Sequence, residues 1–183
     1  MAFNVNEIKS QLILGGARNN LFQVTIQNPA NSVADIRVPF MVRATSIPEA
    51  TVGVMEVPYF GRRIRLAGDR KYGNWSVTVI NDEDYLIRNA MEEWSNRIQS
   101  FEGNVRAFGS ASPLLYKAQA QVVHYSKTGV PIRTYQFNGI FPVDISAMGM
   151  DWAQQDQIQE FSVTFAYDFW QVSGGITGNA GGT

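Results

Sequence analysis

The residues capable of chemistry are few, and their spacing does not bring them together. The single histidine, His124, lies between Val123 and Tyr125 in a stretch that alternates like a strand. Histidine catalysis needs a nucleophile within hydrogen-bond reach and a third group to orient the ring. The chain has no cysteine, and no Ser-His-Asp arrangement is suggested around His124, so a structural role is expected. H-E-x-x-H, the P-loop and G-x-G-x-x-G are all absent. Gly15-Gly16 and the terminal glycines lack the strand-to-helix setting of a phosphate loop. Carboxylates cluster at Asp82-Glu83-Asp84, where a helix start accounts for them through its dipole; a metal site would want further oxygen ligands from elsewhere. No catalytic, cofactor-binding or metal-ligating residue is assigned.

The remaining charge feature is the segment from Gly61 to Lys71. It carries Arg62, Arg63, Arg65, Arg70 and Lys71 against one acid, Asp69. A single-stranded nucleic acid would call for aromatic rings between the cations. The interleaved residues are instead Ile64, Leu66 and Ala67, as in a half-buried strand. Two readings stay open: a solvated edge hairpin whose charges block aggregation, or a contact between subunits that meets an acidic surface. The second is favoured, with the acidic partner at Asp82, Glu83 and Asp84.

The elements that must hold these charges are mainly strands. Period-two alternation marks Phe22 to Ile26, Ile36 to Val42, Ile64 to Leu66, Trp75 to Val79, Ala118 to Val122 and Phe161 to Phe169, with a further strand and turn over Ile132 to Phe141. At least seven strands predict an antiparallel β-sandwich or barrel. One segment breaks the pattern. From Asp82 to about Phe101, the residues Ile87, Met91, Trp94, Ile98 and Phe101 recur at helical spacing. Asn81 or Asp82 is the expected cap, and Arg88 and Glu92 form an i,i+4 pair on the polar face. One flanking α-helix should therefore cover a face or edge of the sheet. Trp75 and Trp94 are expected in the core, and Trp152 and Trp170 in the core or at an interface.

Composition fits one domain. The chain has 183 residues with a net charge of −1, and only 17% are charged, against roughly a quarter in average soluble domains. That deficit is read either as a polar, uncharged surface or as a surface buried against partners. The charge balance excludes a dedicated nucleic-acid binder, and no apolar run reaches the roughly 20 residues of a membrane helix. Absent cysteines and an opening Met1-Ala2-Phe3-Asn4 without export-signal order fit assembly in a reducing cytoplasm. The expected division is an arm over residues 1–18, a β-domain over 19–172 and a Gly-rich tail over 173–183.

Taken in order, several of these segments resemble the tail tube protein of contractile-tailed, T-even-like bacteriophages. The strongest piece runs Val57-Pro58-Tyr59-Phe60-Gly61-Arg62-Arg63-Ile64-Arg65-Leu66-Ala67-Gly68-Asp69-Arg70, followed by Trp75-Ser76-Val77-Thr78-Val79-Ile80-Asn81-Asp82-Glu83. Asn20-Leu21-Phe22-Gln23-Val24, Arg43-Ala44-Thr45-Ser46-Ile47-Pro48, and Asp151-Trp152 through to Asp168-Phe169-Trp170 agree in order. Two parts depart from the pattern: the tail after Gln171, and a longer segment around Asn28 to Asp35.

The resemblance implies a structural virion protein rather than an enzyme, with no cofactor. It implies hexameric rings whose sheets join into an inner barrel, and rings that stack into a tube inside the sheath. Implied partners are further copies of the chain, the tail sheath protein, and the baseplate and tail-terminator proteins. The tape-measure protein and genomic DNA would occupy the lumen transiently. The implied location is the virion tail, with assembly in the host cytoplasm. The rivals are a ring or tube protein of a related contractile injection or secretion device, a baseplate tube-like protein, and a lipocalin-like carrier. A bore that passes DNA without holding it should be neutral or acidic, because each phosphate contact adds affinity.

Overall fold

The computed structural model describes residues 5–12, 15–106 and 112–174. The chain opens with α1 (Val5–Gln11), a short helix with no buried residue, and continues into β1 (Phe22–Ile26). A 3-10 turn (Ser32–Ile36) and a one-turn helix α2 (Val38–Met41) precede β2 (Val42–Thr45). A long hairpin follows, β3 (Ala50–Tyr59) with β4 (Arg62–Tyr72), and then β5 (Trp75–Ile80). Helices α3 (Leu86–Ile98) and α4 (Pro113–Tyr116) lead to β6 (Ala118–Tyr125), β7 (Pro131–Ile145), β8 (Glu160–Ala166) and β9 (Phe169–Ser173).

Apart from the hairpin, the strands form one antiparallel sheet ordered β1-β6-β7-β8-β5-β2, with β9 also paired to β7. The long β7 folds this sheet over. Its first half lies between β6 and β9, and its second half, from Phe141, pairs with β8. The hinge is Gly139, at φ +70, where an added Cβ would collide with the Asp168 carboxylate. The two halves close on each other. Trp75 of β5 stacks on Phe137 of β7 with ring centroids 4.4 Å apart, and the indole N–H donates to Thr45 Oγ1 at 2.9 Å. Val24, Ile26, Val122, Val77, Val163 and Phe165 share that core, and α3 adds Ile87, Ala90, Met91 and Trp94. Full burial of each large side chain contributes roughly 1.5–3 kcal/mol, so this single cluster holds the domain together.

Three expectations need correction. Ile36 to Met41 is not a strand: the end of the 3-10 turn and α2 occupy it, with Pro39 in the first turn of α2, and only Val42 of the expected run lies in a strand, as the start of β2. A proline is suited there, because its missing N–H is one the first turn leaves unpaired. The helix starts at Leu86 rather than at Asp82 and spans 13 residues. Asp82 to Tyr85 form a tight turn closed by Tyr85 N–H to the Asp82 carbonyl, and the Asp84 carboxylate, not Asn81 or Asp82, accepts from Leu86 N–H at 3.1 Å. Asn81 instead donates to Gln159 Oε1 at 2.9 Å. Phe101 lies beyond the helix and is exposed. The predicted run from Phe161 to Phe169 also divides into β8 and β9 around Tyr167-Asp168.

Candidate assembly surface

The β3–β4 hairpin departs from the sheet between β2 and β5, and its two strands pair in register from Ala50↔Tyr72 to Tyr59↔Arg62. Each arm of ten or eleven residues spans about 35 Å at ~3.3 Å per residue. Gly53 and Gly68 meet where the register shifts, between Val52 and Val54: a Cβ on Gly68 would lie 3.1 Å from the Gly53 carbonyl group. Beyond the base, nearly every hairpin side chain is exposed, on both faces of the ribbon. Val52, Val54, Met55, Val57, Tyr59, Ile64 and Leu66 are among them. The half-buried strand expected for Ile64 and Leu66 is thus corrected. An isolated two-stranded hairpin is marginal in water, and one that also exposes this much apolar surface is a candidate contact surface.

The basic residues sit on this ribbon. Arg63 and Arg65 both reach Glu56 on the opposite strand, at 2.9 and 3.3 Å. Among the described residues, Arg62, Arg70 and Lys71 have no ion-pair partner, and neither has Asp69. Over residues 50–72, five basic and two acidic side chains give the hairpin a net charge of +3. Within one subunit the acidic turn does not meet it. Asp82 and Asp84 are clasped by Arg37, which lies 3.4 Å from Asp82 and closer to Asp84. The Leu86 N–H bond, aided by Arg37, lowers the Asp84 pKa below its ordinary value of 3.8, against the opposing effect of desolvation. Glu83 forms no ion pair among the described residues. The turn therefore keeps a net negative charge after Arg37 is counted.

Several positioning residues carried no sequence signal. Asn28 is the one buried polar residue among those described. Its amide donates to the Ala90 carbonyl on α3 at 2.9 Å, and its Oδ1 accepts from Ala30 N–H at 2.8 Å. Asn31 bonds Glu93 at 3.0 Å, so the segment that departs from the family pattern is pinned to the helix. Desolvation raises the Asp35 pKa there, opposed by its bond from Asn28 N–H. Arg88 pairs with Glu92 at 2.7 Å as expected, but it also donates to the Ser146 carbonyl at 3.2 Å and lies over the Phe161 ring. His124 has the structural contact expected of it: Nε2–H donates to the Arg18 carbonyl at 2.6 Å. Trp75 and Trp94 are core residues, Trp170 is half-buried, and Trp152 is fully exposed.

The outward faces of the sheet carry little charge. Gln23, Thr25, Gln119, Gln121, Gln136, Asn138 and Gln171 alternate with core residues on β1, β6, β7 and β9. Ser76, Thr78, Ser162 and Thr164 do so on β5 and β8, where the Thr78 and Ser162 hydroxyls are 3.2 Å apart. Among the described residues, no group of His, Asp and Glu side chains is placed to hold a metal ion.

Comparison with known proteins matches this architecture to one family. The family described as phage tail tube protein matches residues 11–173. Tail tube protein gp19 of Enterobacteria phage T4 is 33% identical over 156 residues, covering 85% of this chain and 91% of that protein. The tail tube protein of Serratia phage KSP90 is 28% identical over 168 residues, covering 89% and 93%. A chain in the extended sheath–tube complex of an extracellular contractile injection system shares the fold with a TM-score of 0.60 at 13% identity, over 93% of this chain and 98% of that one. With its folded-over antiparallel sheet, single long flanking helix and projecting basic hairpin, this chain belongs to the phage tail tube protein family and is a structural component of the virion tail.

Proposed function

We propose that the chain builds the bore of a contractile tail by self-association, as hexameric rings stacked into a hollow tube, with β3–β4 as the principal contact between copies. The observation that carries this is the hairpin itself, a ribbon exposing apolar side chains on both faces and carrying uncompensated positive charge. Strand edges add to it. Among the described residues β1 pairs only with β6, β9 only with β7 and β2 only with β5, and free edges invite pairing with another chain. Closed rings satisfy edges within a layer, while stacking between layers is heterologous and open-ended, which gives a filament.

The residues proposed for this interface are Arg62, Arg63, Arg65, Asp69, Arg70 and Lys71 on the hairpin, facing the Asp82, Glu83 and Asp84 turn of a neighbouring copy. Arg62, Arg70 and Lys71 are the cations left for it, since Arg63 and Arg65 already share Glu56. The proposed division keeps residues 1–18 as an arm and 19–172 as the β-domain. The Gly-rich tail from 173 lies, beyond Gly174, outside the described residues. The role is structural rather than catalytic, and assembly takes place in the host cytoplasm. The tail sheath, baseplate and terminator proteins are the expected external partners. The tape-measure protein and DNA are the expected occupants of the bore. The amide and hydroxyl faces of the sheet support a neutral bore, because either would offer phosphates no run of cations. A sheath–tube relative with this fold also keeps open an injection-device tube, which would share the rings and the stacking.

The test is charge reversal. Arg62→Glu with Arg63→Glu should abolish or strongly slow tube growth, seen by light scattering and electron microscopy, while the far-ultraviolet circular dichroism of the soluble subunit keeps its β signature. Normal growth of the double variant would refute the interface role.

A further inference from the structure

The hairpin turn breaks the rule for its own geometry. Tyr59 pairs with Arg62, so the loop is the two residues Phe60-Gly61. Both have positive φ, +40 and +79, the signature of a type I′ turn. That turn strongly prefers Asn, Asp or Gly at its first central position, because a bulky side chain is disfavoured at positive φ. Gly61 obeys the preference and Phe60 does not. Nothing among the described residues compensates. The Phe60 side chain is 92% exposed, and its only ring contact among the described residues is an edge-on one to its neighbour Tyr59, with centroids 4.7 Å apart.

A large aromatic ring held in water, in an unfavourable backbone conformation, at the far end of a long ribbon, lowers the stability of the free subunit. Backbone strain of this kind marks places where the surrounding assembly over-determines the conformation. We infer that Phe60 is the anchor by which the hairpin tip seats in an apolar recess of a second copy of this chain. Tyr59 would buttress the ring edge-on. Buried aromatic anchors carry a disproportionate share of interface energy. A rigid two-residue turn presents the ring with little loss of freedom on docking. Flanking charges on Arg62 and Arg63 then steer the approach, while the ring holds the seated tip. This rests on the self-assembly reading above and adds to it a residue whose type is set by the interface against the preference of the turn.

The discriminating variant is Phe60→Asn, which turns the loop into the preferred Asn-Gly pair. The soluble subunit of the full-length chain, kept below its assembly concentration, should melt at the same temperature as the wild type or higher. The concentration needed for tube growth, read by sedimentation and electron microscopy, should rise at least about tenfold. Two results would overturn the inference: tubes forming at the wild-type concentration, or a lower melting temperature that makes Phe60 a stabilising residue of the subunit. Failure of the wild-type chain itself to form tubes would instead remove the self-assembly reading, so the two failures are distinguishable.

Discussion

At the scale of single residues, stability and assembly pull different side chains in different directions. Asn28, Trp75 and Trp94 are placed for stability, with every polar group of the two indoles or the amide directed at a partner. Tyr167 is not: its ring packs on Phe137 with centroids 5.3 Å apart, but its buried hydroxyl has no hydrogen-bond partner among the described residues. Burial, with a smaller contribution from the Tyr72 phenol, pushes its pKa from 10.0 up to about 12. Above pH 10 the unfolded chain loses this proton while the folded chain keeps it. Folding stability therefore falls as pH rises from 10 to about 12. Tyr167→Phe should remove that part of the alkaline loss and cost nothing near pH 7, where it deletes an unsatisfied polar group. Urea melts of both proteins across this range check it; parallel losses in the two would contradict the assignment. The core places of Trp75 and Trp94 were legible in the sequence, but those of Asn28 and the Tyr167 hydroxyl were not. Phe161, Val163, Phe165 and Tyr167 share one alternation, and periodicity does not say which ring carries a buried hydroxyl, nor that Asn28 is the polar residue drawn inside.

At the scale of elements, the strands were legible wherever one face is buried and one is wet. Trp75 to Val79 and Ala118 to Val122 show this directly, since their alternation in sequence reappears as alternation in burial. Ile36 to Val42 alternates equally well but folds as the end of a 3-10 turn and α2, with only Val42 in β2. There Pro39 and the local cap at Asn31, whose side chain accepts from Val33 N–H, outweigh a pattern shared by short helices and strands. The helix start was misplaced because three consecutive acids satisfy the dipole rule at any of several positions, and the bond from Leu86 N–H to Asp84 decides among them. Of the hairpin only Ile64 to Leu66 was legible as a strand: β3 went unread, and the Gly61 to Lys71 segment expected as a hairpin is the turn glycine and the single strand β4. Its environment was misjudged as well, since apolar residues between charges look the same whether the core or another subunit covers them. Gly68 makes the hairpin's separateness testable. Gly68→Val should force β3 and β4 apart beside Gly53, because the Gly53 carbonyl group already stands within 3.1 Å of a modest Cβ. Tube growth should fail, whereas the core tryptophan fluorescence and the cooperative melt of the β-domain remain. Loss of the cooperative melt would show that the hairpin belongs to the folding unit of the core.

At the scale of the whole molecule, one subunit leaves its surface unfinished. The strand edges of β1, β2 and β9 are open among the described residues, the hairpin is bare on both faces, and Trp152 in the β7–β8 connection is fully exposed. The low charged fraction in the sequence is matched by the amide and hydroxyl faces of the sheet. Family membership rests on the match over residues 11–173, which spans the ordered resemblance read from Asn20 to Trp170. The measurement that bears most directly on self-assembly is electron microscopy of the purified full-length protein without other tail components. The account predicts long hollow tubes of uniform width. A solution of stable monomers that stays monomeric at high concentration, with the hairpin uncovered, would contradict it.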